Sequence, residues 1–185
     1  MDNILNIDRR EDFRKWLKEK ASSAKECFIP LLRKKPDGIS FVYLDAVEEA
    51  LCFGWIDSTY KIIDGIHYQR FSKRTNKSSW TELNKERARR MIKLGLMTEA
   101  GYQVLPSLYE NFIIDEEIKT ALIKEGCFEI FQSFSPLYQR IRISNIMSKK
   151  KDIKAYEASL NHLIKETKKG KMFGSWNDYG RLLDY

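Results

Sequence analysis

The chain has 185 residues, of which 43% are hydrophobic and 12% aromatic, enough to build one compact domain with an extension. No stretch approaches the roughly 20 apolar residues that cross a bilayer, which argues against insertion in a membrane. The net charge of +7 is uneven: Arg140 to Lys171 holds ten Lys or Arg against Asp152, Glu157 and Glu166, and the remainder of the chain is balanced.

In chain order, the N-terminal MDNILNIDRREDF contains acids and no apolar h-region, so no signal peptide is expected. Leu5 to Ile7 reads as a short strand. Asp8 caps a helix to about Lys20, with Phe13, Trp16 and Leu17 on one face. ECFIPLL, Glu26 to Leu32, reads as a strand that Pro30 confines to an edge or a bulge. KKPDGIS is a turn. A helix from about Tyr43 to Phe53 follows, with Ala46, Val47, Ala50 and Leu51 as its apolar stripe. Asp45, Glu48 and Glu49 are expected to face away, and Gly54 sits where a helix-ending glycine belongs.

WIDSTYKII and IHYQRFSKR, joined by Asp64-Gly65, predict a β-hairpin, because a two-residue type I′ turn needs positive φ at both positions. A helix led in by Trp80 and Thr81 ends near Gly95. Thr98 caps another through about Glu110. Beyond Phe112 the pattern is helical: Asp115 to Lys124, Pro136 to about Lys149, and Asp152 to about Lys168. The order lacks βαβ alternation and predicts an α+β fold: a small antiparallel sheet with a hairpin, packed by helices, plus a helical C-terminal part. The expected organisation is an α+β core over residues 1–112, a basic helical region over 113–171, and a terminal segment, 172–185, docked on the fold.

The hairpin carries the chemistry. With Ile63 opposite Ile66, an unbroken register sets Thr59 against Arg70, Asp57 against Ser72 and Trp55 against Arg74. Side chains alternate along strands, so these six share one face. Ile56, Ser58, Tyr60, Ile62, His67, Gln69 and Phe71 share the other, which is expected to pack. Asp57 then lies diagonally between Arg70 and Arg74. On the next helix, Asn84 and Arg87 fall within the apolar arc of Leu83, Ala88, Met91, Ile92 and Leu94, while Glu82, Lys85, Glu86, Arg89 and Lys93 fall opposite. A buried amide and guanidinium need partners. The polar hairpin face supplies them, and Trp80 projects in a similar direction.

The resulting cluster is Trp55, Asp57, Arg70, Arg74, Trp80, Asn84 and Arg87. Read functionally, it is a pocket for an anion or a planar ligand: guanidinium forks match phosphate or carboxylate, the tryptophans stack a ring, and Asp57 orients a donor or acts as acid/base. Read structurally, it is an ion-pair network pinning hairpin to helix. Nothing in the chain matches a Walker A loop, GxGxxG or G-x-S-x-G, and His67 and His162 lack metal-ligand company, so no cofactor and no metal are expected. Cys27, Cys52 and Cys127, odd in number and widely spaced, read as reduced core thiols of a cytoplasmic protein.

Taken together, DAVEEALCFGWIDS, YQRFSKR and SSWTELNKERARRMIKLGLMTEAG resemble the YdeI/OmpD-associated family, also called bacteriocin-protection proteins. The likeness covers roughly residues 10 to 110 through ALCFGWID, RF-x-x-R, W-x-x-x-N and G-x-M-T-x-x-G in order. It implies that Trp55, Asp57, Arg70, Phe71, Arg74, Trp80, Asn84 and Arg87 occupy the family's motif positions. It also implies a bacterial protein linked to stress or bacteriocin protection. The C-terminal SKKKDIKAYEASL departs from the family pattern, lacking its TR pair. The expected function is binding of a small anion or nucleotide-like ligand. The alternatives are an enzyme acting on a phosphorylated or nucleotide-like substrate through Asp57, and nucleic-acid binding through the basic C-terminal helices.

Overall fold

The computed structural model describes residues 3–30, 41–75 and 77–185. The KKPDGIS turn and the last two residues of ECFIPLL lie outside them. The described residues form an α+β fold of three strands and eight helices: α1 (Arg10–Lys20), β1 (Glu26–Pro30), α2 (Tyr43–Cys52), β2 (Trp55–Ile63), β3 (Ile66–Lys73), α3 (Glu82–Lys93), α4 (Glu99–Tyr102), α5 (Glu116–Lys124), α6 (Phe128–Ser133), α7 (Pro136–Met147) and α8 (Ile153–Thr167). They group into two compact units, residues 1–79 with 87–106, and residues 80–86 with 107–185.

In the first unit the sheet is antiparallel with order β1-β3-β2. β1, which carries Pro30 with no N–H to donate, lies at the edge of the sheet as expected. The expected N-terminal strand is reduced to a single parallel bridge between Ile4 and Phe28. The core gathers Phe13 and Leu17 of α1, Ala46, Val47 and Ala50 of α2, and Cys27, Ile29, Trp55 and Phe71 of the sheet. Asp8 does not cap α1. Arg9 takes the N-cap position and turns its guanidinium to Asp12 at 2.8 Å.

The helix α2 corrects the sequence reading. Asp45, Glu48 and Glu49 do not face away: they are 8%, 1% and 1% exposed. Glu48 accepts from Arg10 and from Arg90, each at 2.7 Å, and Glu49 accepts from Arg10 at 2.6 Å and Arg14 at 2.7 Å. Asp45 caps the helix through the Val42 N–H at 3.0 Å. A helix whose polar side meets three guanidiniums from neighbouring helices is buried all round, which periodicity does not reveal. α2 ends at Gly54, φ +72°, where a Cβ would lie 2.7 Å from the Ala100 carbonyl oxygen. Thr98 does cap α4, but the helix is four residues long and stops well short of Glu110. Pro106 disfavours helical backbone just before it.

In the second unit, α5, α7 and α8 begin at Asp115, Ser135 and Asp152, whose side chains accept from first-turn N–H groups. Their core contains Ile118, Leu122, Phe131, Tyr138, Ile141, Ile146 and Leu163. Trp176 joins it from the C-terminal segment, and the Tyr138 ring meets Phe173 and Trp176 edge-on. Glu86, expected on the solvent side of α3, is instead 7% exposed, held by Arg140 at 3.0 Å and the Tyr185 hydroxyl at 2.7 Å. Leu94, expected within the apolar arc, is 45% exposed.

Candidate functional site

The hairpin turns as the sequence requires: Asp64 and Gly65 have φ of +51° and +79°, and Ile63 pairs with Ile66. The ladder then slips. Tyr60 pairs with Gln69 but Asp57 pairs with Phe71, so Ser58 and Thr59 together stand opposite Arg70 alone. This is a β-bulge, one extra residue that shifts everything beyond it. The Gln69 side chain stitches it, donating to the Ser58 carbonyl at 2.9 Å and the Thr59 carbonyl at 3.4 Å, while Arg70 Nη1 donates to Ser58 Oγ at 3.0 Å.

The slip moves the expected site residues to different faces. Directly opposed residues share a side, so Asp57 lies with Phe71, on the core side, and Arg70 on the other. The expected diagonal of Asp57 between Arg70 and Arg74 on one face is therefore not formed. Asp57 instead accepts a hydrogen bond from the Tyr43 hydroxyl at the start of α2, at 2.5 Å. Trp55 pairs with Lys73, not Arg74, and is 1% exposed, its ring edge-on to Trp16 in the core. That ring has no open face on which to stack a ligand. Tyr60 and Ile62, expected to pack, are 57% and 59% exposed near the hairpin tip.

Arg74 closes the strand end from within. Its N–H bonds the Gly54 carbonyl at 2.9 Å and its Nη1 donates to the Ser79 carbonyl at 3.1 Å. Burial pushes its guanidinium down to about 10, against the opposing pull of the Asp57 carboxylate, so it stays charged at neutral pH. Arg87, also in this unit, is buried as its place in the apolar arc predicts. Trp80 and Asn84 belong to the second unit and are half-buried, and the Asn84 N–H is capped by Thr81 Oγ1 at 3.2 Å. The seven-residue cluster thus divides: Trp55, Asp57, Arg70, Arg74 and Arg87 in one unit, Trp80 and Asn84 in the other.

An open groove of about 660 Å³ lies along Arg70, Ser72 and the segment after β3. Lys25, Arg70, Lys73 and Lys77 supply its cations, and Asp57 is the single acid among its described lining residues. Ser58, Ser72, Thr75, Ser78 and Ser79 add hydroxyls. Arg70 is anchored by Nε to Glu26 at 2.6 Å and by Nη1 to Ser58, which leaves its Nη2 end without a hydrogen bond to any described residue. Lys73 donates to the Ser22 carbonyl at 2.5 Å, whereas Lys25 and Lys77 form no ion pair among the described residues. The chemistry on offer is a half-neutralised guanidinium fork flanked by ammonium groups and hydroxyls, suited to an oxyanion.

Tyr43, Glu26, Lys25, Lys73, Thr75, Lys77, Ser78 and Ser79 were not singled out by the sequence pattern, which did set Ser72 on the face of Arg70. Tyr43 and Glu26 are distant in sequence from the residues they hold. Lys77, Ser78 and Ser79 stood in plain view as a short polar run between β3 and α3.

The first unit is therefore an α+β module with a cationic, hydroxyl-lined groove on its sheet. Residues 5–104, more than half of the chain, match the family described as a domain of unknown function (DUF8412), and the chain belongs to that family. The match spans every residue of the sequence-derived cluster. No curated protein and no solved structure matches the chain. Among the described residues, no helix is long and apolar enough to cross a membrane.

Proposed function

We propose that the first unit binds a small oxyanion, the phosphate of a nucleotide-like ligand above all, in the groove along Arg70. The observation that carries this is the mismatch of charge: four cations and five hydroxyls line the groove against one carboxylate. Glu26 takes one edge of Arg70 and fixes the fork, which preorganises it for a planar, two-point contact. The likeness to YdeI/OmpD-associated proteins supports a setting in bacterial stress or bacteriocin protection. A deletion strain challenged with a bacteriocin panel tests that part.

Thermal denaturation against inorganic phosphate, pyrophosphate and nucleoside monophosphates tests the binding. A ligand at about 100 times its dissociation constant stabilises by about 2.7 kcal/mol. Arg70→Lys is expected to weaken binding about tenfold although charge is kept, and Lys77→Ala to weaken it less. No stabilisation by any of these anions defeats the reading.

The hydrogen bond of Tyr43 to Asp57, which lines the groove, favours a second reading, phosphate-ester turnover with Asp57 as acid/base. Turnover of p-nitrophenyl phosphate abolished by Asp57→Asn, with pyrophosphate binding retained, would establish it. Binding without turnover leaves a binder.

A further inference from the structure

The second unit holds a cationic cleft of its own, with a volume of about 410 Å³, beside α7 and α8. That size suits a small molecule. Arg142, Lys149 and His162 line it with the amide of Asn145 and the hydroxyls of Ser148 and Ser159, and none of its lining residues is acidic.

Arg142 is the unusual member. It forms no ion pair with any described residue, and its Nε is buried without a hydrogen-bond acceptor. Nη2 donates to the Phe173 carbonyl. The guanidinium carbon lies 4.2 Å from the Phe173 ring centre and 5.4 Å from that of Tyr138. Gly174 makes room for it: a Cβ there would stand 2.6 Å from Nη2. A carbonyl and two aromatic faces hold this cation in place but do not neutralise it. A part-buried guanidinium without a counter-charge is an unfavourable arrangement that an anion in the cleft would relieve.

The surroundings fit that role. Lys149 reaches Ser159 Oγ at 2.6 Å, which uses one of its three ammonium donors. The His162 ring meets Phe173 edge-on at 4.3 Å. Glu166, whose charge reaches His162, is itself held by Lys169 at 2.7 Å.

We propose that this cleft is a second binding site, for a small organic phosphate monoester, with the Arg142 fork beneath the phosphate and Lys149 at its rim. The Ser148 and Ser159 hydroxyls donate to the Asn145 and Ala155 carbonyls at 2.8 and 2.7 Å, so the free donors are the two cations and the Asn145 amide, which a phosphate dianion with three terminal oxygens matches better than a carboxylate does. The inference does not rest on the groove of the first unit.

Calorimetric titration of phenyl phosphate into the full chain carrying Arg70→Ala tests it, since that parent silences the first unit's groove. Saturable one-site binding is expected, at least tenfold tighter than benzoate. Lys149→Gln, at an exposed position compatible with folding, should weaken it about fivefold, and Arg142→Lys at least tenfold. Absence of saturable binding, equal binding of benzoate, or affinity unchanged in both variants overturns the proposal. So does affinity that rises with the length of an oligonucleotide while phenyl phosphate fails to compete, which would assign the face to a polymer.

Discussion

At the scale of single residues, the first unit spends its charges inward. Glu48 and Glu49 are each about 1% exposed and share the guanidiniums of Arg10, Arg14 and Arg90. Removing one partner strands the others, so Glu48→Ala should cost about 3–5 kcal/mol in urea denaturation. A cycle combining it with Arg90→Ala should show coupling of about 1–3 kcal/mol, and strict additivity would mean the two do not interact. The thiols behave in the opposite way, as groups kept neutral. Burial pushes Cys27 and Cys52 up to about 12. An unfolded thiol ionises near pH 9 while the folded one keeps its proton. The stabilisation is therefore present in full below pH 9 and is lost as pH rises towards 12, by up to about 1.4 kcal/mol per unit per thiol. Ellman's reagent at pH 8 should leave Cys27 and Cys52 unlabelled in the native protein and label all three cysteines in urea. Rapid labelling of native Cys27 or Cys52 contradicts their burial.

At the scale of elements, two local devices shape the sheet and what packs on it. The bulge at Ser58 and Thr59 is stitched by one buried amide, Gln69, 8% exposed, which donates to both of their carbonyls and, at 3.4 Å, to that of Arg70. Gln69→Leu leaves both carbonyls short of a donor and should cost about 1–3 kcal/mol. It should also perturb the Asp57 and Arg70 resonances, because the register beyond the bulge relaxes. A loss of stability with those resonances unmoved would separate the amide from the bulge. The second device joins α2 to α4. A Cβ on Gly101 would stand 2.4 Å from the Cys52 carbonyl oxygen and from Met97 Sδ. Thr98 Oγ1 donates to that same carbonyl at 2.6 Å. Gly101→Ala should therefore destabilise by more than 2 kcal/mol, well beyond a helix-propensity effect, whose sign at this helical position would favour alanine. A neutral or stabilising result would show that the two helices can separate at little cost.

At the scale of the whole molecule, the proposed anion sites and a nucleic-acid interface would differ in their response to salt. The groove of the first unit is open, and Lys25 and Lys77, which form no ion pair among the described residues, are exposed. Screening shortens the reach of such charges from about 10 Å at 0.1 M salt to about 3 Å at 1 M. Pyrophosphate affinity there should fall several-fold over that range. A nucleic-acid interface along the basic run from Arg140 to Lys171 would lose far more, because each neutralised phosphate adds to the salt slope. Some of that run is already engaged: Lys150 meets Glu117 at 2.9 Å and Lys168 meets Glu125 at 2.6 Å. A steep salt dependence that persists in Arg70→Ala would move the function to this second surface.

Patterns of short range were legible in the residues alone. Periodicity, caps and the Asp64-Gly65 turn place α1, α2, the hairpin, α3, α5, α7 and α8 close to where they lie, and the absence of βαβ alternation indicates α+β, because each depends on neighbours a few positions away. The burial of Arg87 followed from its helical angle. Side-chain placement across the sheet was not legible. A bulge adds one residue without marking the sequence, and with a side-chain period of two a single slip exchanges faces. That slip sent Asp57 to Tyr43 and Trp55 to the core, while the unbroken pairing of β1 with β3 set Arg70 beside Glu26. The acids of α2 escaped for a related reason: their arginines come from α1 and α3, and a charged residue reads as exposed until distant chain supplies its counter-charge. Pairing between remote segments, which no local pattern encodes, decided which charges are neutralised within the fold.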